Sequence, residues 1–222
     1  EQRDGMLPTL DSPSAAERIA AFVLGFAEDS LTPAHHQLCA RALADTYAVA
    51  LGGWAEPASV SASRYLGDSG LLRPGGGAGL ARLWGRPEWA GAEIAAWHNG
   101  VLGHVLDYDD VNVPLRGHPS VVLWPALLAV AQARDLDGSR LDASFVVGVE
   151  VLVKLARAFA ASHYARGWHS TASIGVLGAT AACAFLLKLG ALQTIHALGL
   201  AGAQAGGSRE HVGTQAKSFP AG

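Results

Sequence analysis

Residues able to do chemistry gather in four short stretches of the chain. The first holds His104, Asp107, Tyr108, Asp109 and Asp110. His104 and Asp107 are three apart and share one helix face. This grouping suits proton transfer or metal ligation, and equally suits a helix end running out into an acidic turn. The second is Gly117-His118-Pro119-Ser120 and the third Gly167-Trp168-His169-Ser170-Thr171. Both put a glycine, a histidine and hydroxyls at the start of an apolar segment. A helix N-terminus favours an anion there, through unpaired N–H groups and the helix dipole; a capping role is the plainer alternative. Two such arrangements in one chain point to a shared anionic ligand. The fourth stretch carries Ser208, Arg209, Glu210, Thr214 and Lys217. The other two lysines have structural uses: Lys154 can pair with Glu150 one helical turn away, and Lys188 suits a helix C-terminus. Lys217 has none, which favours a ligand. His35, His36, His98, His163, His196 and His211 read as surface or satisfied core residues.

The elements that must position these residues read as helices. Ser12-Pro13 and Thr32-Pro33 each put a hydroxyl cap before a first-turn proline, predicting helices over 13–28 and 33–52. A short helix follows over 57–67, then a glycine-rich connection over 68–87. From Glu88 the spacing of Ile94, Trp97, Val101 and Val105 predicts a helix ending near Asp107. The next opens around His118 and runs to about Arg134, with Pro125 as a kink or delayed start. Ser139 and Asp142 resemble a capping box ahead of a helix whose stripe is Phe145, Val149, Leu152, Ala156 and Phe159. Helices over 170–189 and 191–205 complete the set, and the last stretch is loop-like. No strand-like alternation is visible. The expectation is an all-α fold of at least seven helices.

Composition agrees. Half of the 222 residues are hydrophobic and 16% are charged, which excludes a disordered or coiled-coil chain. Alanine makes up roughly a fifth of the chain, favouring closely packed helices. A net charge of −3 without a basic run argues against nucleic acid. Cys39 and Cys183 stand in apolar contexts and read as buried thiols of a reducing, cytoplasmic compartment. Residues 1–12 read as a flexible tail without a signal peptide. Ser170–Leu187 is uncharged and about long enough to span a bilayer. Its Ala, Gly, Ser and Thr content instead fits a central helix of a soluble bundle, so no membrane partner is expected. The uncharged helices near 170–205 should together occupy the middle of the core.

The strings NGVLGHVLDYDDV, GHPSVVLWPALLAVA, RGWHSTASIGVLGATAA and HALGLAGAQAGGSRE, followed by Gly213-Thr214 and Lys217, resemble the MmgE/PrpD family in order and spacing. That family includes 2-methylcitrate dehydratase, cis-aconitate decarboxylase and iminodisuccinate epimerase. The resemblance implies a large helical domain and a smaller α/β lid, usually in a homodimer. It also implies an active site for di- or tricarboxylates that needs no metal or organic cofactor. Family members are about twice this length, so the chain is expected to hold an incomplete helical N-terminal domain without the lid.

The family motifs fall on Asp107 to Asp110, on His118, on His169 and on Lys217. The resemblance thus implies Asp107, His118 and His169 as catalytic residues, and Lys217, His104, Asp110 and Ser170 as substrate-binding residues. Val111 stands where cis-aconitate decarboxylases carry a threonine, and Pro220 where many members carry a histidine. The first departure puts a 2-methylcitrate dehydratase-like hydro-lyase ahead of a decarboxylase or an epimerase. Two other classes stay open: a metal-dependent helical hydrolase using His104, Asp107, Asp109 and a second histidine, and a non-catalytic helical module.

Overall fold

The computed structural model describes residues 12–222. The tail expected over 1–12 thus falls outside them except for Ser12, which is exposed. Nine α-helices are present among the described residues: α1 (Ala15–Gly25), α2 (Pro33–Gly52), α3 (Pro57–Asp68), α4 (Ala92–His104), α5 (Ser120–Ala133), α6 (Leu141–Ala165), α7 (Ser170–Ser173), α8 (Gly175–Leu186) and α9 (Ala191–Gln204). The fold is all-α apart from one hairpin, as the helical periodicity requires. None of these helices is long and apolar enough to cross a membrane.

Several boundaries differ from the sequence expectation for identifiable reasons. The cap of α1 is Ser14, not Ser12, because Glu17 three residues on completes a capping box with it. Thr32 does cap α2, and its backbone N–H is taken up by His35 Nδ1 at 3.0 Å. The expected Ser139/Asp142 box does not form. Asp137 instead accepts from the backbone N–H of Ser139 and opens a short 3₁₀ turn before α6, while Asp142 pairs with His36 across the fold. The glycine-rich connection contains a hairpin of β1 (Leu80–Arg82) and β2 (Trp89–Gly91), paired antiparallel with Ala81 opposite Ala90. Three residues per strand are too few to show an alternation. α5 begins at Ser120, two residues after His118, and carries Pro125 inside it.

The core lies where α5, α6 and α8 meet. Leu123, Trp124, Leu127, Phe145, Leu152, Ile174, Ala182 and Leu186 are buried together there. Trp124 stacks on Phe145 at 4.5 Å between ring centroids. Small residues set how closely these helices approach. A Cβ on Gly178 would stand 2.4 Å from the Leu152 side chain, and one on Gly148 would stand 2.6 Å from Leu123. The α6 stripe holds, with Phe145, Leu152 and Ala156 buried and Val149 and Phe159 partly so. The uncharged segment from Ser170 divides at Ile174 into α7 and α8, and α8 is the central helix expected. α9 is not central. It buries Thr194, Leu198 and Ala201 and turns Leu192 and Leu200 outward.

The ends of α4, α5 and α7 meet on one side of this core. Gly100 and Gly103 serve packing there rather than a ligand: Gly103 faces Val121 of α5, and Gly100 faces Gly222 at the end of the chain.

Candidate functional site

α4 ends at His104, which is 1% exposed. Asp107 then takes a left-handed backbone conformation (φ +56°), which aspartate tolerates better than most residues. This turns the chain into the loop that returns at His118. Asn112 and Gly117 close that loop with a backbone bond of 2.9 Å, and Asn112 Oδ1 accepts from the Leu115 N–H. Asp110 anchors its far end by accepting from the backbone N–H and the hydroxyl of Ser120, at the first turn of α5. Gly117 lies against α7: a Cβ there would be 2.8 Å from Thr171 Oγ1. That same hydroxyl accepts from the His118 backbone N–H at 3.1 Å, tying the two histidine-bearing segments together.

The tail, although loop-like in sequence, is tied down. The His169 N–H donates to Gly207 O, the Arg209 N–H donates to Gly167 O, and the Arg209 guanidinium lies over Tyr164. Gly207 is required where it stands, since its φ is +109° and a Cβ would meet Ala172 at 2.7 Å. Thr214 caps a short 3₁₀ turn over Gln215–Ser218, which delivers a largely buried Lys217.

Six residues converge as a result. The His104 ring packs edge-on against His118 (4.7 Å between centroids) and nearly parallel to His169 (5.6 Å). His104 Nδ1 lies 2.9 Å from Asp109 Oδ2. His118 Nδ1 faces the Asp109 carbonyl at 3.2 Å and its carboxylate at 3.3 Å, while Nε2 faces Asp107 Oδ1 at 3.3 Å. The Lys217 ammonium group donates to the same Asp107 oxygen. A cleft of about 300 Å³ opens over His104, Asp107 and Lys217, with Glu56, Thr214 and Gln215 on its walls. A larger cavity of about 460 Å³ lies around Phe26, Arg140 and Phe185, between other elements.

The electrostatics follow from these contacts. Burial alone raises the Asp109 pKa, but hydrogen bonds from His104 and His118 outweigh it and hold the carboxyl at about 2. Burial lowers His118, yet Asp109 more than offsets this and its pKa ends raised. His104 is lowered by burial despite Asp109. His169 has no carboxylate bonded to it among the described residues. Burial, reinforced by the charges of His104, Lys217 and His118, brings it to about 4. Asp107 is raised by burial and lowered further by Lys217, for a net lowering. The contacts thus favour the charged form of His118, which lies between two carboxylates, and the neutral forms of His104 and His169.

Of the seven residues singled out from sequence, Asp107, His118, His169, Lys217 and His104 come together. Of these, His104, Asp107 and Lys217 line the cleft and His118 and His169 pack on His104; Asp110 is engaged with Ser120, and Ser170 is fully buried at the start of α7. Asp109, which sequence reasoning placed in the acidic stretch and the family motif but gave no catalytic or substrate-binding role, is the hub of the cluster. Its signal was its place in the acidic run that follows His104. His104, Asp107, Asp109 and His118 bring ligand atoms within 4.8 Å of one another, a spacing that would admit a cation. The Lys217 ammonium group already pairs with Asp107, and both histidines turn Nδ1 toward Asp109, so a metal would compete with these contacts for the two carboxylates.

The profile of the MmgE/PrpD N-terminal domain matches residues 17–221. The chain belongs to the MmgE/PrpD family. A curated cis-aconitate decarboxylase-like protein, oryM of Aspergillus oryzae, is 34% identical over 125 residues, covering 53% of this chain and 26% of that protein. The chain thus matches about a quarter of that relative's length. Within the family frame, the motif residues Asp107, His118, His169 and Lys217 are the ones the fold assembles at or beside the cleft.

Proposed function

We propose that the protein is a lyase acting on a small di- or tricarboxylate without a metal or organic cofactor, and that its reaction is a 2-methylcitrate dehydratase-like loss of water. The observation that carries this reading is the placement of two histidines in unlike surroundings, His118 between Asp107 and Asp109 and His169 stacked on His104, beside one buried lysine; this favours the charged form of His118 and the neutral form of His169. A substrate carboxylate takes the Lys217 ammonium group over from Asp107, a charge-assisted contact in a partly water-excluded site. The neutral His169 removes a proton from the carbon beside that carboxylate, and negative charge builds where Lys217 can stabilise it. The His118 imidazolium protonates the departing hydroxyl, giving water and an alkene. Asp107, released from Lys217, gives up His118 Nε2 to that hydroxyl while Asp109 keeps Nδ1. Both histidines are reset by proton exchange with solvent. The homodimer implied by the resemblance and the cytoplasmic location expected from the two cysteines belong to the same proposal.

Decarboxylation is the second reading, favoured by the likeness to the Aspergillus oryzae protein. Val111 offers no hydroxyl where those decarboxylases carry threonine, which puts dehydration first. The test is turnover of 2-methylcitrate, cis-aconitate and iminodisuccinate by the intact protein. Turnover of one of them is expected; activity only on a neutral substrate would contradict the proposal.

A further inference from the structure

Asp109 is a fully buried carboxylate that does not line the cleft over His104, Asp107 and Lys217. The loop around it is held without its help, by Asp110 on Ser120 and by Asn112 on Gly117 and Leu115. Its side chain instead lies between two imidazoles. Every atom facing His104 Nδ1 and His118 Nδ1 is an acceptor: the two Asp109 carboxylate oxygens for His104, and the Asp109 carbonyl and carboxylate for His118. An ionised carboxylate and a carbonyl have no proton to give, so both rings must donate from Nδ1. For His104 this leaves Nε2 without a proton and without a hydrogen-bond partner among the described residues. That nitrogen belongs to the ring stacked on His169.

We infer that Asp109 is the positioning residue of the site, fixing both His104 and His118 with Nδ1–H turned inward and so deciding which ring nitrogen each leaves for proton transfer. This rests on the reading of His118 as the proton donor. Free histidine favours the opposite tautomer, with the proton on Nε2, so the arrangement has to be imposed. One carboxylate shared by two rings also keeps a single positive charge on the pair. His118, which Asp107 faces as well, holds that charge, while His104 stays neutral.

Imidazole ¹⁵N NMR of the intact protein tests this without a substrate, so it stands apart from any failure to find turnover. Expected in the wild type are Nδ1–H on His104, and a His118 that keeps Nδ1–H after it loses its second proton. In Asp109→Asn one accepting oxygen becomes an amide N–H donor aimed at an imidazole Nδ1, while the backbone carbonyl of residue 109 still accepts from His118, so at least one histidine, His104 first, should shift toward Nε2–H. The His118 pKa should fall by about one unit or more with the loss of the anion. If Asp109→Asn folds with both tautomers and the His118 pKa unchanged, Asp109 only holds the loop and the inference is overturned. If the variant does not fold, the wild-type spectrum decides alone: Nε2–H on neutral His104 or on neutral His118 overturns the inference, and Nδ1–H on both sustains it.

Discussion

His118 and His169 start from nearly the same local sequence. Each follows a glycine closely, stands just before a helix and leads into hydroxyl residues that are buried in the fold. Both pack on His104 and share Thr171 as a neighbour or next neighbour. Yet His118 is held between Asp107 and Asp109 and favours its charged form, whereas His169 is buried without a carboxylate partner and favours its neutral form. The α4–α5 loop makes the difference, because it brings two aspartates to one histidine and none to the other. A local motif places an imidazole; the partners that tertiary structure brings decide whether it gives or takes a proton.

The largest expected effect breaks the comparison outright. Replacing either histidine by asparagine in the intact protein should lower turnover of its carboxylate substrate by about 10²–10⁴-fold, the usual contribution of a positioned acid or base. The pH–rate profile should differ between the two. Activity of the wild type should fall toward acid as His169 gains a proton near 4, and toward alkali as His118 loses one above the ordinary histidine value. Steady-state kinetics across pH would check both limbs.

A second expectation concerns the contact that joins the two segments. Gly117→Ala drives a methyl group into Thr171 Oγ1 and the Thr171 backbone nitrogen. Overpacking of this kind costs about 1–3 kcal/mol. The damage should fall on both histidines at once, since His118 also loses its Thr171 acceptor when the segments separate. Urea unfolding with an unchanged slope and a lower midpoint would be the reading.

The smallest effect sharpens the comparison through stability. His169 has a depressed folded pKa, so the unfolded chain binds more protons as pH falls from 6.5 toward about 4, and stability drops across that window. His98, buried on Ser63 and Asn99, acts in the same direction and window. His118 has a raised folded pKa. Its contribution is fully present below 6.5 and is lost as pH rises through the folded value. Thermal melts from pH 4 to 9 should therefore show a flatter acid side in His169→Asn, and the loss of part of the alkaline decline in His118→Asn.

Much of this was legible in the chain. The helices were readable because their apolar residues recur at helical spacing over ten or more positions, as in α4 and α6. Trp89–Gly91 was not, because a three-residue strand gives no period to detect. The division of α7 from α8 was hidden because small residues fit a helix and a turn equally well. In the site, the rarity of lysine singled out Lys217, and the repeated glycine–histidine–hydroxyl pattern singled out His118 and His169. The pairing of Asp109 with both rings depends on how the loop folds back on the end of α4, which no spacing encodes. Ser170 looked like a ligand residue because it opens a helix, but the tertiary fold buries that opening.

The division of labour between the two histidines is tested most directly by solvent isotope exchange. The intact protein is incubated with its carboxylate substrate in D₂O, and deuterium at the carbon beside the carboxylate is followed by NMR. The account predicts wash-in by the wild type, its loss in His169→Asn, and its persistence in His118→Asn, where proton removal survives but the hydroxyl cannot leave. Exchange that persists in His169→Asn and disappears in His118→Asn would contradict the assignment of base to His169 and acid to His118.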